Sequence, residues 1–316
     1  AARAVSVDGA AAAYRALAPA KVNLGLFVGA RRASDGRHEL VSVMQSISLA
    51  DELRLAPAGD SAERDELDCP ESAGPPQQNL AARALAAFRE ATGWRAPPLR
   101  LSIDKRIPVA AGLGGGSADA AAALRLAQRA SGLGDERLLR ELAVELGGDV
   151  PAQVVPGRWL ATGAGERLQA LPDPRPGLEL LVLPAPAGLS TAEVYDTLDR
   201  VGRLRNPHEL QRLAEQLRSG LALGAALPTA NELLHNDLQQ PALVLRPQIA
   251  DTLAAASDAG AQALVSGSGP TVLALFSHAN ASGRRERAQA ALAEHAPAPI
   301  AAHSVDAAFA EPVALA

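Results

Sequence analysis

Pro108 to Leu124 reads PVAAGLGGGSADAAAAL, with Gly112, Gly114, Gly115 and Gly116 running into Ser117 and an alanine-rich stretch. Ser117 is a good helix N-cap, Ala118 to Ala130 has the composition of a strong helix former, and Gly132 stands where such a helix would stop. A glycine-rich loop feeding a helix start offers unpaired N–H groups and the positive end of a helix dipole. That is chemistry for an anion, most often a phosphate. Glycine suits the loop because a Cβ would hold the phosphate away and because some positions call for positive φ. No Gly-Lys-Ser/Thr closes the loop, so it is not a Walker A loop, and the dinucleotide fingerprint lacks its third glycine and its ribose-binding acid. By its residues alone the stretch is a phosphate loop of another kind or a plain loop before a surface helix.

Two further positions could do chemistry beside a phosphate. The chain has 30 basic residues, yet only Lys21 and Lys105 are lysines. A lysine kept against such a bias marks a place where a compact point charge matters. Lys21 and Asn23 share one face of an extended run by period two. Asp149, in Leu146-Gly-Gly-Asp-Val-Pro151, is either a helix cap before proline or a catalytic carboxylate, and the two roles are compatible.

The elements that must position these residues follow from patterning. Tyr14 to Gly29 suggests two short strands around Pro19, with Leu24, Leu26 and Val28 toward a core. Ser34-Asp35-Gly36 is a turn, after which a strand resumes from Arg37 and continues through Asp51 to Pro57. Asp60 to Pro76 reads as loop with at most a short strand. Asn79 to Thr92 has helical spacing and Gly93 as its stop; Leu99, Leu101 and Ile103 alternate as a strand that delivers Lys105 and the glycine loop. Glu136 to Leu146 is a second helix. Five prolines between Pro172 and Pro186 flank the strand LELLVL and mark a domain boundary. Beyond it come helices near 190–198, 209–217 and 247–258, with a further segment over 236–245. A strand, glycine turn and strand through Ser266-Gly-Ser-Gly-Pro270 follow, then a helix near 284–294 and a last strand near 301–305. No fixed-period repeat is present.

Composition sets bounds. The 316 residues suffice for two domains; 48% are hydrophobic and 21% charged, as in a globular protein. The net charge of −5 argues against a nucleic-acid binder. Cys69 stands alone and the six histidines are scattered, so neither a disulfide nor a cysteine or histidine metal cluster is expected. No apolar run is long enough for a signal core or a membrane span, which makes the cytoplasm the expected compartment. Ala1 to Ala13 reads as a frayed tail. No interface stripe stands out, and a monomer or weak homodimer is expected.

In this order, PAKVNLGL from Pro19, DGRHEL from Asp35, the glycine loop, LGGDVP from Leu146, NDL from Asn236 and SGSGP from Ser266 resemble the motifs of the GHMP kinase superfamily. They are most similar to the branch that phosphorylates a cytidyl diphosphate sugar alcohol in non-mevalonate isoprenoid synthesis. The resemblance runs from about Leu17 to Phe276. It implies an α+β GHMP kinase fold: a ribosomal-protein-like N-terminal, ATP-binding domain over residues 14–172, a ferredoxin-like C-terminal domain over 173–316, and an active site in the cleft between. ATP and Mg²⁺ are the implied cofactors, the metal ligands remaining unassigned, and the partner is the small-molecule substrate rather than a nucleic acid or membrane. Carried over by motif, Lys21 and Asp149 fall on the catalytic pair. Pro108 and Gly112, Leu113, Gly114, Gly115, Gly116 and Ser117 fall on the triphosphate loop, and Asn79 and Lys105 on the adenine contacts. Asn23, His38 and Tyr195 fall on the substrate site, His38 and Tyr195 at the cytosine, and Gly267, Ser268 and Gly269 near the substrate phosphates. The residue before His38 is commonly aromatic in that branch and here is Arg37, whose guanidinium can also stack on a base. The other readings are a kinase of the same superfamily acting on a mevalonate-type compound or homoserine, and an ATP-binding regulator without turnover.

Overall fold

The computed structural model describes residues 13–70, 75, 77–228, 231–276, 281–295 and 297–315. All but the last residue of the expected frayed tail lies outside them. The N-terminal half is built on two long antiparallel strands, β1 (Tyr14–Arg31) and β2 (His38–Pro57), joined by the turn at Ser34-Asp35-Gly36. Where two short strands were expected around Pro19, one strand runs through. Its register with β2 shifts between Pro19 and Lys21 and again between Asn23 and Gly25. Proline has no N–H to give the ladder, so the pairing slips there instead of ending. The slips leave Lys21 and Asn23 between two irregularities, and the Lys21 N–H donates instead to Leu113 O of the glycine loop at 2.9 Å.

The far edge of β2 is shared. β5 (Arg158–Gly163) pairs with residues 40–45, and β4 (Leu99–Asp104) pairs with residues 52–57. β3 (Glu66–Asp68) adds to β4 and β6 (Arg167–Ala170) adds to β5. The β5–β6 hairpin is missing from the sequence reading, although WLATG and RLQA around Gly163 and Gly165 carry a hairpin pattern. Helices α1 (Leu80–Thr92), α2 (Gly115–Ser131), α3 (Glu136–Leu146) and the short α4 (Val150–Val154) cover the sheet. α2 is buried on nearly every side from Ala118 to Ala127, which is why it is built of alanine: larger side chains would not fit between the sheet and its neighbours.

The C-terminal half holds an antiparallel four-stranded sheet in the order β10 (Ile300–His303), β7 (Glu179–Leu183), β9 (Val272–Phe276), β8 (Gln262–Val265). With β7 as its first strand this is the ferredoxin-like order 4-1-3-2. Helices α5 (Thr191–Val201), α6 (Pro207–Leu221), α7 (Gln239–Leu245) and α8 (Ile249–Asp258) lie between β7 and β8, and α9 (Ala281–Ala291) between β9 and β10. One core joins the halves: Ala20, Val22 and Leu24 of β1 pack in the same cluster as Leu180, Val182, Leu213 and Leu217. The chain also crosses between the halves twice. It first leaves β6 for β7 and then returns after β10. At the return Ser304 bonds Leu178, and the Val305 N–H donates to Ser46 O. Finally β11 (Val313–Ala314) pairs with β1, so a division at residue 172 leaves this strand on the wrong side. Among the described residues no helix is long and apolar enough to cross a membrane.

Candidate active site

Lys21 is buried, and its Nζ donates to Asn23 Oδ1 at 2.8 Å while standing 3.2 Å from Asp149 Oδ2. Asn23 Nδ2 donates in turn to Ser42 Oγ at 2.7 Å, so the β1 pair is braced from β2. Asp149 sits at the head of α4, yet its side chain makes no capping bond to that helix. Its carboxylate, about a third exposed, faces Lys21. The cap reading therefore does not account for this aspartate.

The glycine loop lies directly over Lys21. Gly112 and Gly114 hold φ of 76° and 68°, and a Cβ on Gly114 would sit 2.9 Å from Lys21 Cγ. Close approach of the loop to the lysine thus requires glycine. Gly114, not Ser117, is the N-cap, and α2 starts at Gly115. The expected helix starts earlier because small residues without branched Cβ atoms continue the turn, which places Ser117 inside the first turn. The Gly115, Gly116 and Ser117 N–H groups belong to that first, intrahelically unpaired turn, which is the geometry that binds phosphate. Pro108 lines the same cleft.

From the other half, Ser266 Oγ donates to Gly112 O at 3.1 Å, and Gly267 and Gly269, both at positive φ, turn the chain beside Lys21 and Asn23. Asn236 sets this turn: its Nδ2 donates to Val265 O and Gly267 O, and its Oδ1 accepts from the Leu238 N–H. Ser268 Oγ bonds Thr191 Oγ1 at 2.9 Å.

Lys105 is already engaged. Its Nζ reaches Asp51 Oδ2 at 2.5 Å and Asp119 Oδ2 at 2.7 Å, and Asp51 Oδ1 also accepts from the N–H groups of Arg106 and Ile107. Asp51 and Lys105 together pin both ends of the glycine loop. Asn79, buried beside them, accepts at Oδ1 from the N–H groups of Ala81 and Ala82 as the cap of α1. Burial pushes the Asp119 carboxyl up to about 7, against the pull of Lys105 and with repulsion from Asp51 adding to it. A carboxyl raised by folding contributes most at low pH, and that contribution is lost as pH rises through about 7. Melting temperature should therefore fall between pH 5.5 and pH 8, and Asp119→Asn should flatten that dependence. An unchanged slope in the variant would refute the assignment.

At the other end, His38 Nδ1–H donates to Gly29 O at 2.7 Å, and the ring stands 5.2 Å from that of Tyr195 at a tilt of 33°. His38 Nε2 faces Asp199 Oδ1 at 3.3 Å. Burial raises the Tyr195 phenol, and the nearby Asp149 charge adds to this. Arg37 does not lie over these rings. Its Nη2 donates to Ala164 O at 2.7 Å, against Gly148, and forms the wall next to Asp149.

All of the expected site residues except Gly269 line one cleft of about 690 Å³ between the halves, and Gly269 closes the turn behind it. Asp51, Asp119 and Asp199 were not singled out from sequence, and Asn236 stood there only as the head of the NDL motif, without a role. Asp119 left a signal, as the one charged residue between Gly112 and Leu124; the others look like ordinary strand, turn and helix residues. Among the described residues no three metal-binding side chains cluster. Asp149 and Ser117 put one carboxylate and one hydroxyl on the cleft, a donor set of the size Mg²⁺ takes beside phosphates.

The GHMP kinases N terminal domain family matches residues 79–157, and the GHMP kinases C terminal family matches residues 205–298. The 4-diphosphocytidyl-2-C-methyl-D-erythritol kinase of Streptomyces coelicolor is 44% identical over 271 residues, covering 84% of this chain and 88% of its own. That of Anaeromyxobacter dehalogenans is 43% identical, over 82% of this chain and 80% of its own. A crystal structure of 4-(cytidine 5'-diphospho)-2C-methyl-D-erythritol kinase superposes with a TM-score of 0.71 at 33% identity, covering 92% of this chain and 98% of that one. The homoserine kinase of Cytophaga hutchinsonii, at 16% identity, shares the fold with a TM-score of 0.72 over 99% of this chain and 100% of its own.

Proposed function

The chain belongs to the GHMP kinases, in the branch of the 4-diphosphocytidyl-2-C-methyl-D-erythritol kinases, and from that membership we propose that Lys21 and Asp149 carry out its phosphoryl transfer. The reaction moves the γ-phosphoryl group of ATP to the 2-hydroxyl of 4-diphosphocytidyl-2-C-methyl-D-erythritol, giving the 2-phosphate and ADP in the non-mevalonate isoprenoid pathway.

Phosphoryl transfer asks for placement and charge stabilisation more than for covalent chemistry. The first-turn N–H groups of α2 hold the nucleotide phosphates, and the Lys21 ammonium stands where negative charge passes between nucleotide and acceptor. Asp149 orients the acceptor hydroxyl and takes its proton. Asn23, braced by Ser42, fixes the Lys21 ammonium and lines the substrate side of the cleft. Mg²⁺ bound to the triphosphate would be held by Asp149 and the Ser117 hydroxyl, and it neutralises phosphate charge when present. Lys105 and Asn79 shape the adenine end of the cleft, and His38, Tyr195 and the Arg37 wall shape the cytosine end. The Gly267–Gly269 turn presents the Gly267 and Ser268 backbone to the substrate diphosphate, while the Gly269 N–H closes the turn on Ser266 O.

The observation that carries this reading is the Lys21–Asp149 pair at 3.2 Å under the glycine loop. A silent ATP-binding regulator would have no use for it. The test offers purified protein Mg-ATP with 4-diphosphocytidyl-2-C-methyl-D-erythritol, mevalonate or homoserine and follows ADP release. Turnover with the cytidyl alcohol alone is expected; equal turnover with mevalonate or homoserine, or none with any, would defeat the reading. At the cytosine end, His38→Ala should raise the KM for the cytidyl alcohol roughly 10-fold, the value of one lost hydrogen-bonding group, and leave the KM for ATP within experimental scatter.

A further inference from the structure

Arg125 lies on α2, two turns after the phosphate-binding end, and is more than nine-tenths buried. No carboxylate meets its guanidinium among the described residues. Its Nη1 donates to Gln153 O at 2.6 Å and to Val154 O at 3.4 Å, the last carbonyls of α4; its Nη2 donates to Leu17 O of β1 at 3.0 Å. Gln153, itself 1% exposed, repeats the link in the same direction, its Nε2 donating to Pro19 O of β1 at 3.1 Å. Its Oε1 accepts from Ser46 Oγ of β2 at 3.5 Å.

These bonds join the two segments that bear the reacting side chains. Leu17 and Pro19 precede Lys21 on β1, and Gln153 and Val154 end the five-residue helix that begins just after Asp149. A buried guanidinium without a counter-charge is a costly choice for holding a fold together, because an apolar side chain would fill the space at lower desolvation cost. Its planar fork does what an apolar residue or a lysine does not: it holds carbonyls of two elements at a fixed separation at once. Burial lowers the Arg125 pKa to about 10, so the group stays charged at neutral pH.

We propose that Arg125, with Gln153, is a positioning residue that fixes α4 against β1 and thereby sets the distance between Lys21 and Asp149. This inference rests on the proposed catalytic pair. A displacement of about 1 Å in a reacting group costs on the order of 100-fold in rate. The ATP loop, held by separate bonds, stays in place.

The test compares wild type, Arg125→Lys and Gln153→Met in steady-state kinetics and thermal melting. Turnover of the wild type on the cytidyl alcohol, and its loss in Asp149→Asn, test the underlying reading independently. The expected result is a kcat lowered roughly 10- to 100-fold in both variants, with the KM for ATP within about 3-fold and melting still cooperative. Gln153→Met keeps the side-chain volume and removes the Pro19 tether together with the longer Ser46 contact, so it serves even where Arg125→Lys does not fold. A kcat within 3-fold of wild type in a folded variant overturns the proposal. So does a loss in kcat matched by an equal rise in the KM for ATP, which would mark general loosening of the fold.

Discussion

Asp149→Asn should lower kcat by about 10²- to 10⁴-fold while leaving the KM for ATP nearly unchanged. The substitution is close to isosteric, so it keeps the shape of the cleft and removes a charge and a proton acceptor together. In free-energy terms the loss is about 3–5 kcal/mol of transition-state stabilisation. The choice of asparagine separates the two roles that an aspartate before Val-Pro can play. Asparagine caps helices as well as aspartate does. A purely capping Asp149 would therefore leave turnover intact. Its side chain makes no such bond in the structure and faces Lys21 instead. Steady-state rates at saturating ATP decide the matter: a kcat within tenfold of wild type would remove Asp149 from the chemistry.

The second large effect is expected at Gly112. Its φ of 76° is unfavourable for any residue with a Cβ, and the added atom would stand 2.3 Å from Ser266 O and 3.0 Å from Gly269 N. Neither neighbour is a flexible side-chain tip; both are backbone of the turn that Asn236 holds from the other side. Gly112→Ala should therefore cost about 2–4 kcal/mol, from left-handed strain and overpacking combined, and should push the two glycine loops apart. Gly116 provides the contrast. It is helical, with nothing nearer to its added Cβ than Leu80 at 3.9 Å, so Gly116→Ala should melt no lower than wild type. If the loop binds phosphate, that variant nevertheless loses ATP affinity, because the methyl group adds bulk to the cleft that Gly116 lines. Melting and nucleotide titration of the two variants test the assignment: a Gly112→Ala protein as stable as wild type would contradict it.

Elements whose shape depends on local sequence were legible before the structure. The glycine loop, the alanine helix behind it and the period-two placement of Lys21 and Asn23 are local patterns, and they hold. The limits of that reading are equally physical. Ser117 satisfies every compositional rule for a cap, yet the helix begins before it because two glycines can take helical backbone. Asp51 is an ordinary strand residue until the fold brings residues 105–107 against it. Asn236 gains its purpose from carbonyls about thirty residues later, and Arg125 from carbonyls of two other elements. Such long-range polar contacts leave no periodicity. Lys105 is the intermediate case: its rarity marked it as special, and its two carboxylate partners came only with the tertiary structure.

The two crossings between the halves lie side by side, with Leu178, Ser304, Val305 and Ser46 bonded together where the chain goes out and comes back. A single tether would let one lobe swivel about any line through it. Two neighbouring tethers, bonded to each other and laid over a core that both halves share, remove that freedom. The Ser266 turn and Gly112 are thereby held in one register, so the two walls of the cleft are parts of a single packed body.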